Sequence, residues 1–381
     1  MKMTVSPKWI TCIVAVCFLA TAMLVGCGDS GQKPAAPAAE ESESSANTKK
    51  VLLKVPICFA TSLPGLGSTI KWIEDRIEVA SGGSVVVKVY EPGKLVAPFE
   101  ILEAVSKNKV NAGYSISGYW EGKIPGASIF STVPFGPEAG EFLAWMWYGN
   151  GRKLYQKMYD DTGFNVHVIP CGIIAPETSG WFAEPIKSVD DLKGLKMRFY
   201  GLGGKAMQKL GVSVSLLPGG EIFPALEKKA IDATEFSMPA IDARLGFYKV
   251  VKNNYFPGWH QQATLFELLI NKEVWNGLSE SQKMIIEMMC VAATADSFAY
   301  TEAIQGQVIK QNVEDRGVKL HYWSDDMLNT FRKAWEEVAA ELSASSPMFK
   351  EAWEDLSAFR KEYRYWQTYG FLPRPKAPQG E

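Results

Sequence analysis

Apolar and polar positions change period several times along the chain, and each change marks an element. Residues 51–57 (VLLKVPI) form an apolar run that reads as a strand. From residue 68 to 80, Ile70, Ile73 and Ile77 fall on one helical face, and Gly82-Gly83 ends the pattern. Residues 84–90 (SVVVKVY) alternate as a strand, 98–106 (PFEILEAVS) are helical, and 110–116 return as a third strand. This βαβαβ order predicts a parallel sheet with helices on its faces. The order recurs beyond Leu192, with strands at 195–199, 212–216 and 231–235 enclosing helices at 204–210 and 220–229. The expected fold class is therefore α/β with two lobes: lobe I over 51–165, completed by parts of 262–370, and lobe II over 166–261.

Ser279-Glu280-Ser281-Gln282 has the form of a capping box, and no proline interrupts the helical pattern that follows until Gly317. At about 1.5 Å per residue, a helix over 279–316 is roughly 50 Å long and reaches across both lobes. Further helices are expected over 325–342 and from Ser346-Pro347, followed by a loose tail over 371–381.

The first residues break this grammar. Lys2 and Lys8 precede an apolar stretch over 10–25, too short and too early for a spanning helix, which reads as a signal peptide over 1–26. It closes in Leu24-Val25-Gly26-Cys27, which resembles a bacterial lipobox and makes Cys27 the expected lipidation site. Residues 27–50 lack bulky apolar side chains and are expected to be a disordered tether.

Composition then removes function classes. The net charge is −2 and Lys and Arg are scattered, so nothing draws nucleic acid to the surface. No second segment is apolar enough to span a membrane. Cys12 and Cys17 lie in the signal segment. Cys58, Cys171 and Cys290 are an odd set at spacings unlike any metal motif, and read as buried free thiols. The three histidines, His167, His260 and His321, do not pair at metal spacing, and no nucleophile elbow, His-Glu-x-x-His or P-loop is present. Gly201-Leu202-Gly203-Gly204 reads as a tight turn before a helix. An enzyme is not expected, and the one carboxylate pair it could use is Glu177 with Glu235.

The aromatic supply is rich, with 12 Trp, 14 Tyr and 19 Phe. Aromatic walls with a few aimed polar groups suit a small-molecule cleft. Trp145, Trp147 and Tyr148 are expected in the core, whereas Tyr119 and Trp259 fit either core or cleft.

The stretch Val189-Asp190-Asp191-Leu192-Lys193-Gly194-Leu195-Lys196-Met197-Arg198 resembles the strand that delivers an arginine in solute-binding proteins of TRAP (tripartite, ATP-independent) transporters. Residues 216–226 (LLPGGEIFPAL), 231–236 (IDATEF), 246–249 (GFYK), 255–260 (YFPGWH) and 119–123 (YWEGK) resemble the branch of that family that takes 2-oxo and 2-hydroxy acids. The resemblance covers residues 51–370. It implies a two-lobed, periplasmic-binding-protein-like fold with a long helix spanning both lobes, and capture of a small carboxylate without catalysis. It also implies delivery to a membrane permease, a place on the periplasmic side of the envelope with lipid holding it to the membrane, and, in parts of the family, a homodimer.

The resemblance further implies that Arg198 pairs with the ligand carboxylate, a task that suits a planar guanidinium fork. Ligand contacts are expected from Arg198, Glu177, Tyr119, Glu235, Phe236 and Trp259. In the oxo-acid branch a metal ion is held by a glutamine, by a glutamate with the backbone of an adjoining tryptophan, and by a second glutamate. Here Glu177 stands in the place of the glutamine, Glu235 keeps its place, Phe236 replaces the tryptophan and Gln261 stands in the place of the second glutamate. The expected metal ligands are therefore Glu177, Glu235, Phe236 and Gln261, and such oxygen donors suit calcium or sodium. Two carboxylates around a bound acid require a positive charge between them, which a metal ion or a ligand ammonium could supply. An amino acid, a zwitterion or an aromatic acid thus remains open as ligand, as does a role as a periplasmic sensor.

Overall fold

The computed structural model describes residues 49–374. The expected signal peptide, Cys27, nearly all of the tether and the last part of the tail lie outside the described residues. No helix among the described residues is long and apolar enough to cross a membrane.

The chain runs through β1 (Val51–Pro56), α1 (Gly67–Ala80), β2 (Val85–Tyr90), α2 (Ile101–Ser106), β3 (Ala112–Ser115), α3 (Ala139–Tyr148) and α4 (Gly151–Asp161). It continues through β4 (Val166–Ile174), β5 (Gly180–Phe182), β6 (Lys196–Arg198), α5 (Gly201–Lys209), β7 (Ser213–Ser215), α6 (Gly219–Glu227), β8 (Ala233–Thr234), α7 (Pro239–Leu245) and β9 (Asn253–Phe256). The last elements are β10 (Thr264–Asn271), α8 (Lys272–Asn276), α9 (Glu280–Glu314), β11 (Lys319–Tyr322), α10 (Asp325–Ser345) and α11 (Pro347–Gly370).

In the first sheet β1 and β2 pair in parallel, and Ile57 bridges to Tyr114 of β3. The expectation of an all-parallel sheet fails from there on, because β10 pairs antiparallel with both β3 and β4. All 8 residues of β10 are buried, so it carries no alternation to read. The second sheet has the order β11-β9-β5-β8-β6-β7. Its β8, β6 and β7 are parallel as expected, but β5 runs antiparallel to β8 and β9. The first-lobe strands thus combine a parallel pair with an antiparallel trio, and the six-stranded sheet is mixed.

Two segments carry the chain between the sheets: residues 175–179, from β4 to β5, and residues 257–263, from β9 to β10. They run against each other, with Glu177 N donating to Gln261 O at 3.1 Å. A Cβ at Gly258 would lie 2.1 Å from the Glu177 carbonyl oxygen, so only glycine permits this approach.

Helix α9 starts on the expected capping box, where Ser279 Oγ accepts from Gln282 N at 3.2 Å and Ser279 N donates to Gln282 Oε1 at 3.0 Å. Beside buried apolar residues such as Ile286 and Ala293, it presents hydroxyls to β4. Gly172 N donates to Thr294 Oγ1 (2.9 Å), Ile173 N to Ser297 Oγ (3.2 Å) and Ala175 N to Thr301 Oγ1 (3.4 Å). The buried backbone donors of β4 that face away from β10 are thus satisfied by a helix. The same helix packs on α1 and on α7, where Ala240 N donates to Gln305 Oε1 at 3.0 Å.

Two sequence expectations are corrected here. Cys171 and Cys290 are not free thiols but a disulfide between β4 and α9, spanning 119 residues, and only Cys58 is free among the described residues. Their pairing is set by how α9 lies on β4, which spacing does not encode. Of the three aromatic residues expected in the core, Trp145 is buried and Trp147 half-buried, but Tyr148 is 93% exposed. It occupies the last position of α3, where the chain turns away at Gly149.

Glu267 of β10 is fully buried and accepts from Trp120 Nε1 (2.7 Å), Tyr155 OH (2.5 Å) and Tyr159 OH (2.7 Å). Burial outweighs these three donors and pushes its carboxyl up to about 7 from 4.5. Below pH 4.5 the group is protonated in both folded and unfolded chains, so it has no effect on stability. Between pH 4.5 and 7 the unfolded chain ionises first and the fold loses stability, to a constant loss above that of about 3 kcal/mol. Urea unfolding of Glu267→Gln across this range should show that slope removed relative to the wild type. Closure of so long a loop by the Cys171–Cys290 bond should contribute about 4 kcal/mol, read as the stability lost in the double serine variant.

Candidate functional site

Strands β6 and β8 end side by side, Arg198 opposite Thr234, so the residues at their ends are brought together by backbone pairing. Glu235 N donates to Arg198 O at 3.0 Å. The side chain returns the contact: Arg198 Nη1 donates to Glu235 O (2.6 Å) and to Glu235 Oε2 (2.9 Å), and Nε to Leu217 O (3.3 Å). Tyr200 N adds a second donor to Glu235 Oε2 at 2.9 Å. Arg198 is 1% exposed and Glu235 0%, and the guanidinium lies 5.1 Å above the Phe236 ring. Nη2 has no partner among the described residues.

The two segments between the sheets supply the opposite wall. Gln261 Nε2 donates to Thr264 Oγ1 (2.7 Å), which donates in turn to Glu177 Oε1 (3.1 Å). This chain leaves Glu177 Oε2 and Gln261 Oε1 buried and unpartnered, together with Glu235 Oε1 and both ring nitrogens of His260. His260 Nε2 stands 3.6 Å from Glu235 Oε1 and 3.9 Å from Glu177 Oε2, too far for a hydrogen bond. From the first lobe come Tyr119, whose hydroxyl is also unpartnered, and Phe59. The space among these groups is about 20 Å³, lined by Phe59, Tyr119, Glu177, Arg198, Phe236 and Gln261 among others.

The carboxyls differ in charge preference. Burial raises Glu177 well above the usual carboxylate range, and the neighbouring Glu235 and Asp242 add to this. Burial acts on Glu235 too, but Arg198, His260 and the Tyr200 N–H outweigh it and hold the group below its usual value.

Buried polar atoms are almost always satisfied. A cluster of unpartnered ones around one small space marks a place built for something that brings its own partners. Ligand atoms of Glu177, Glu235 and His260 lie within 4.8 Å of one another, and Gln261 Oε1 faces the same space. An oxygen-rich set of this kind fits a hard cation, and the cation would answer the second carboxylate.

Residues 62–346 match the family model of bacterial extracellular solute-binding protein, family 7. The chain belongs to this family. The curated relative from Nostoc sp. (strain PCC 7120), a monocarboxylate 2-oxoacid-binding periplasmic protein, is 34% identical over 82% of this chain and 86% of its own. A TRAP transporter solute-binding protein from Bordetella bronchiseptica superposes with a TM-score of 0.81 at 27% identity, covering 84% of this chain and 95% of the other. Its crystal structure is a dimer with calcium and picolinate in one site and the other site apo. One from Pseudoalteromonas atlantica, with bound sodium and pyruvate, gives 0.80 at 28% identity, covering 84% and 97%.

Arg198, Glu177, Phe236, Gln261 and Tyr119 line one cavity, and Glu235 stands beside it, bonded to Arg198. Trp259 does not line it. Its ring is buried in a stack with Phe135 (5.4 Å) and Phe331 (4.9 Å). Phe59, His260 and Thr264 were not singled out as site residues. His260 had no metal-spaced partner in the sequence because its neighbours in space come from other strands. Phe59 had a usable signal, since it follows the C-terminal end of the first strand, where open α/β sheets bind ligands.

Removing one partner of a buried ion pair leaves a charge that nothing answers. Arg198→Met should therefore destabilise the ligand-free protein by about 3 to 5 kcal/mol in urea unfolding. The double variant Arg198→Met/Glu235→Gln should recover most of that loss.

Proposed function

We propose that this protein captures a short 2-oxo monocarboxylate together with a cation by lobe closure, and delivers it to the membrane permease of a TRAP transporter. The observation that carries the proposal is the buried Arg198, with a free guanidinium edge, facing two carboxyls and an amide whose outer oxygens lack partners. Arg198 would take the carboxylate of the solute. Glu177, Glu235, Gln261 and the Phe236 carbonyl would hold the cation, with His260 as a further donor, and the Tyr119 hydroxyl would reach the solute from the first lobe. The cation answers the surplus carboxylate and polarises the oxygens of the solute that it touches. The space left among these groups is narrow, about 20 Å³, which favours a short solute over a long one. The Nostoc relative and the pyruvate-bound Pseudoalteromonas structure support the same class of solute.

Export belongs to the same proposal. Residues 1–26 would direct secretion and Cys27 would carry the lipid that holds the protein to the membrane. A disulfide is at home in an oxidising compartment. Self-association would use the end of α11 and the residues after it, where Tyr365, Tyr369 and Leu372 are exposed.

Calorimetry of the fragment 51–381 with pyruvate tests the reading. Binding is expected with calcium or sodium, and chelation should abolish a calcium-dependent signal. Arg198→Lys, which keeps the charge but not the fork, should weaken affinity on the order of 100-fold. Equal binding after thorough removal of metal ions would transfer the role of the cation to a group on the solute. No binding of any 2-oxo or 2-hydroxy acid would end the proposal.

A further inference from the structure

The cleft holds a second and larger recess. About 530 Å³ of space lies among Cys58, Leu63, Pro98 and Leu245, with the charged Glu91 and Arg244 also in its lining. This recess and the small polar cavity have two side chains in common, Phe59 and Phe236. Phe59 follows β1 in the first lobe and Phe236 follows β8 in the second. Their rings meet edge to face, 6.3 Å apart, and are 4% and 5% exposed. The partition between the two spaces is therefore one pair of rings, and it forms only where the lobes meet.

Each ring is held from behind. Phe59 packs on Tyr119 (5.6 Å) and Phe266 (5.7 Å), and Phe236 on Phe247 (6.3 Å) and under the Arg198 guanidinium. Gly219, at the start of α6, completes the seat. A Cβ there would lie 2.7 Å from Phe236 Cζ, so the ring keeps its position because that residue has no side chain. A wall so supported does not yield to a ligand of the wrong length, because packed interiors resist extra volume.

We infer that the Phe59–Phe236 pair sets the length of the solute. The polar cavity takes the acid head and one small substituent, and the rings exclude a longer alkyl chain from a recess that has room and apolar side chains for it. This rests on the acid-capture reading above. Opening the partition should admit branched 2-oxo acids, since each methylene buried in the recess is worth about fourfold in affinity.

Calorimetry with calcium present, using pyruvate and 4-methyl-2-oxopentanoate, tests this on the wild type, Phe59→Ala and Phe236→Ala. The wild type should bind pyruvate and bind the longer acid at least about 100-fold more weakly. Each alanine variant should gain on the order of tenfold or more for the longer acid. The readout in each variant is the ratio of the two affinities, which should move toward the longer acid even where binding of pyruvate also weakens. If melting curves show either alanine variant to be unfolded, Phe59→Leu and Phe236→Leu take its place, with a smaller gain expected. Wild-type binding of pyruvate together with folded variants that still reject the longer acid would overturn the gate alone, as would equal wild-type affinity for both acids. Failure of the wild type to bind either acid would overturn the capture reading and the gate with it.

Discussion

The cleft is built around a charge count that cannot close on its own. One guanidinium and two carboxyls are buried around one small space, and the arginine is already committed to Glu235 through its backbone and side-chain oxygens. Glu177 is left with a proton or with a cation for company, because burial alone sets a high cost on its bare charge. Any acid placed there would add another negative charge and deepen the same deficit. Much of what surrounds the site serves this condition: the Thr264 and Gln261 chain fixes which Glu177 oxygen faces inward, and aromatic rings exclude water.

The geometry that places these charges comes from chain path more than from local structure. Glu177 and His260-Gln261 lie on the two segments that pass between the sheets, while Arg198 and Glu235 end paired strands of the second. A relative movement of the lobes therefore changes the distances between the buried carboxyls, the arginine and the first-lobe aromatics together. Segments of a few residues next to strand ends are where such closure is usually absorbed.

Helix α9 opposes that freedom. Its hydroxyls and the Cys171–Cys290 bond tie it to β4, and Gln305 ties it to α7 of the second lobe. Polar contacts suit this place, since they satisfy backbone donors of β4 that no neighbouring strand takes up. Glu267 does similar work inside the first lobe, where it joins Trp120 to Tyr155 and Tyr159 of α4.

The long helix, its cap, the opening parallel pair and the β8-β6-β7 unit were legible in the sequence, because period, capping residues and glycines act over a few neighbours. So was most of the site, where Arg198, Glu235 and the displaced acid at Glu177 stood in recognisable surroundings. Tertiary structure alone decided the rest. The uniformly buried β10 has no alternation to betray it, and the antiparallel insertion of β10 and β5 depends on pairings far along the chain. The same holds for the disulfide, for Trp259 turning into the core, for His260 facing two carboxyls, and for Phe59 meeting Phe236. Each is a contact between residues remote in sequence, and local patterns of hydrophobicity carry no information about which remote partner a side chain will meet.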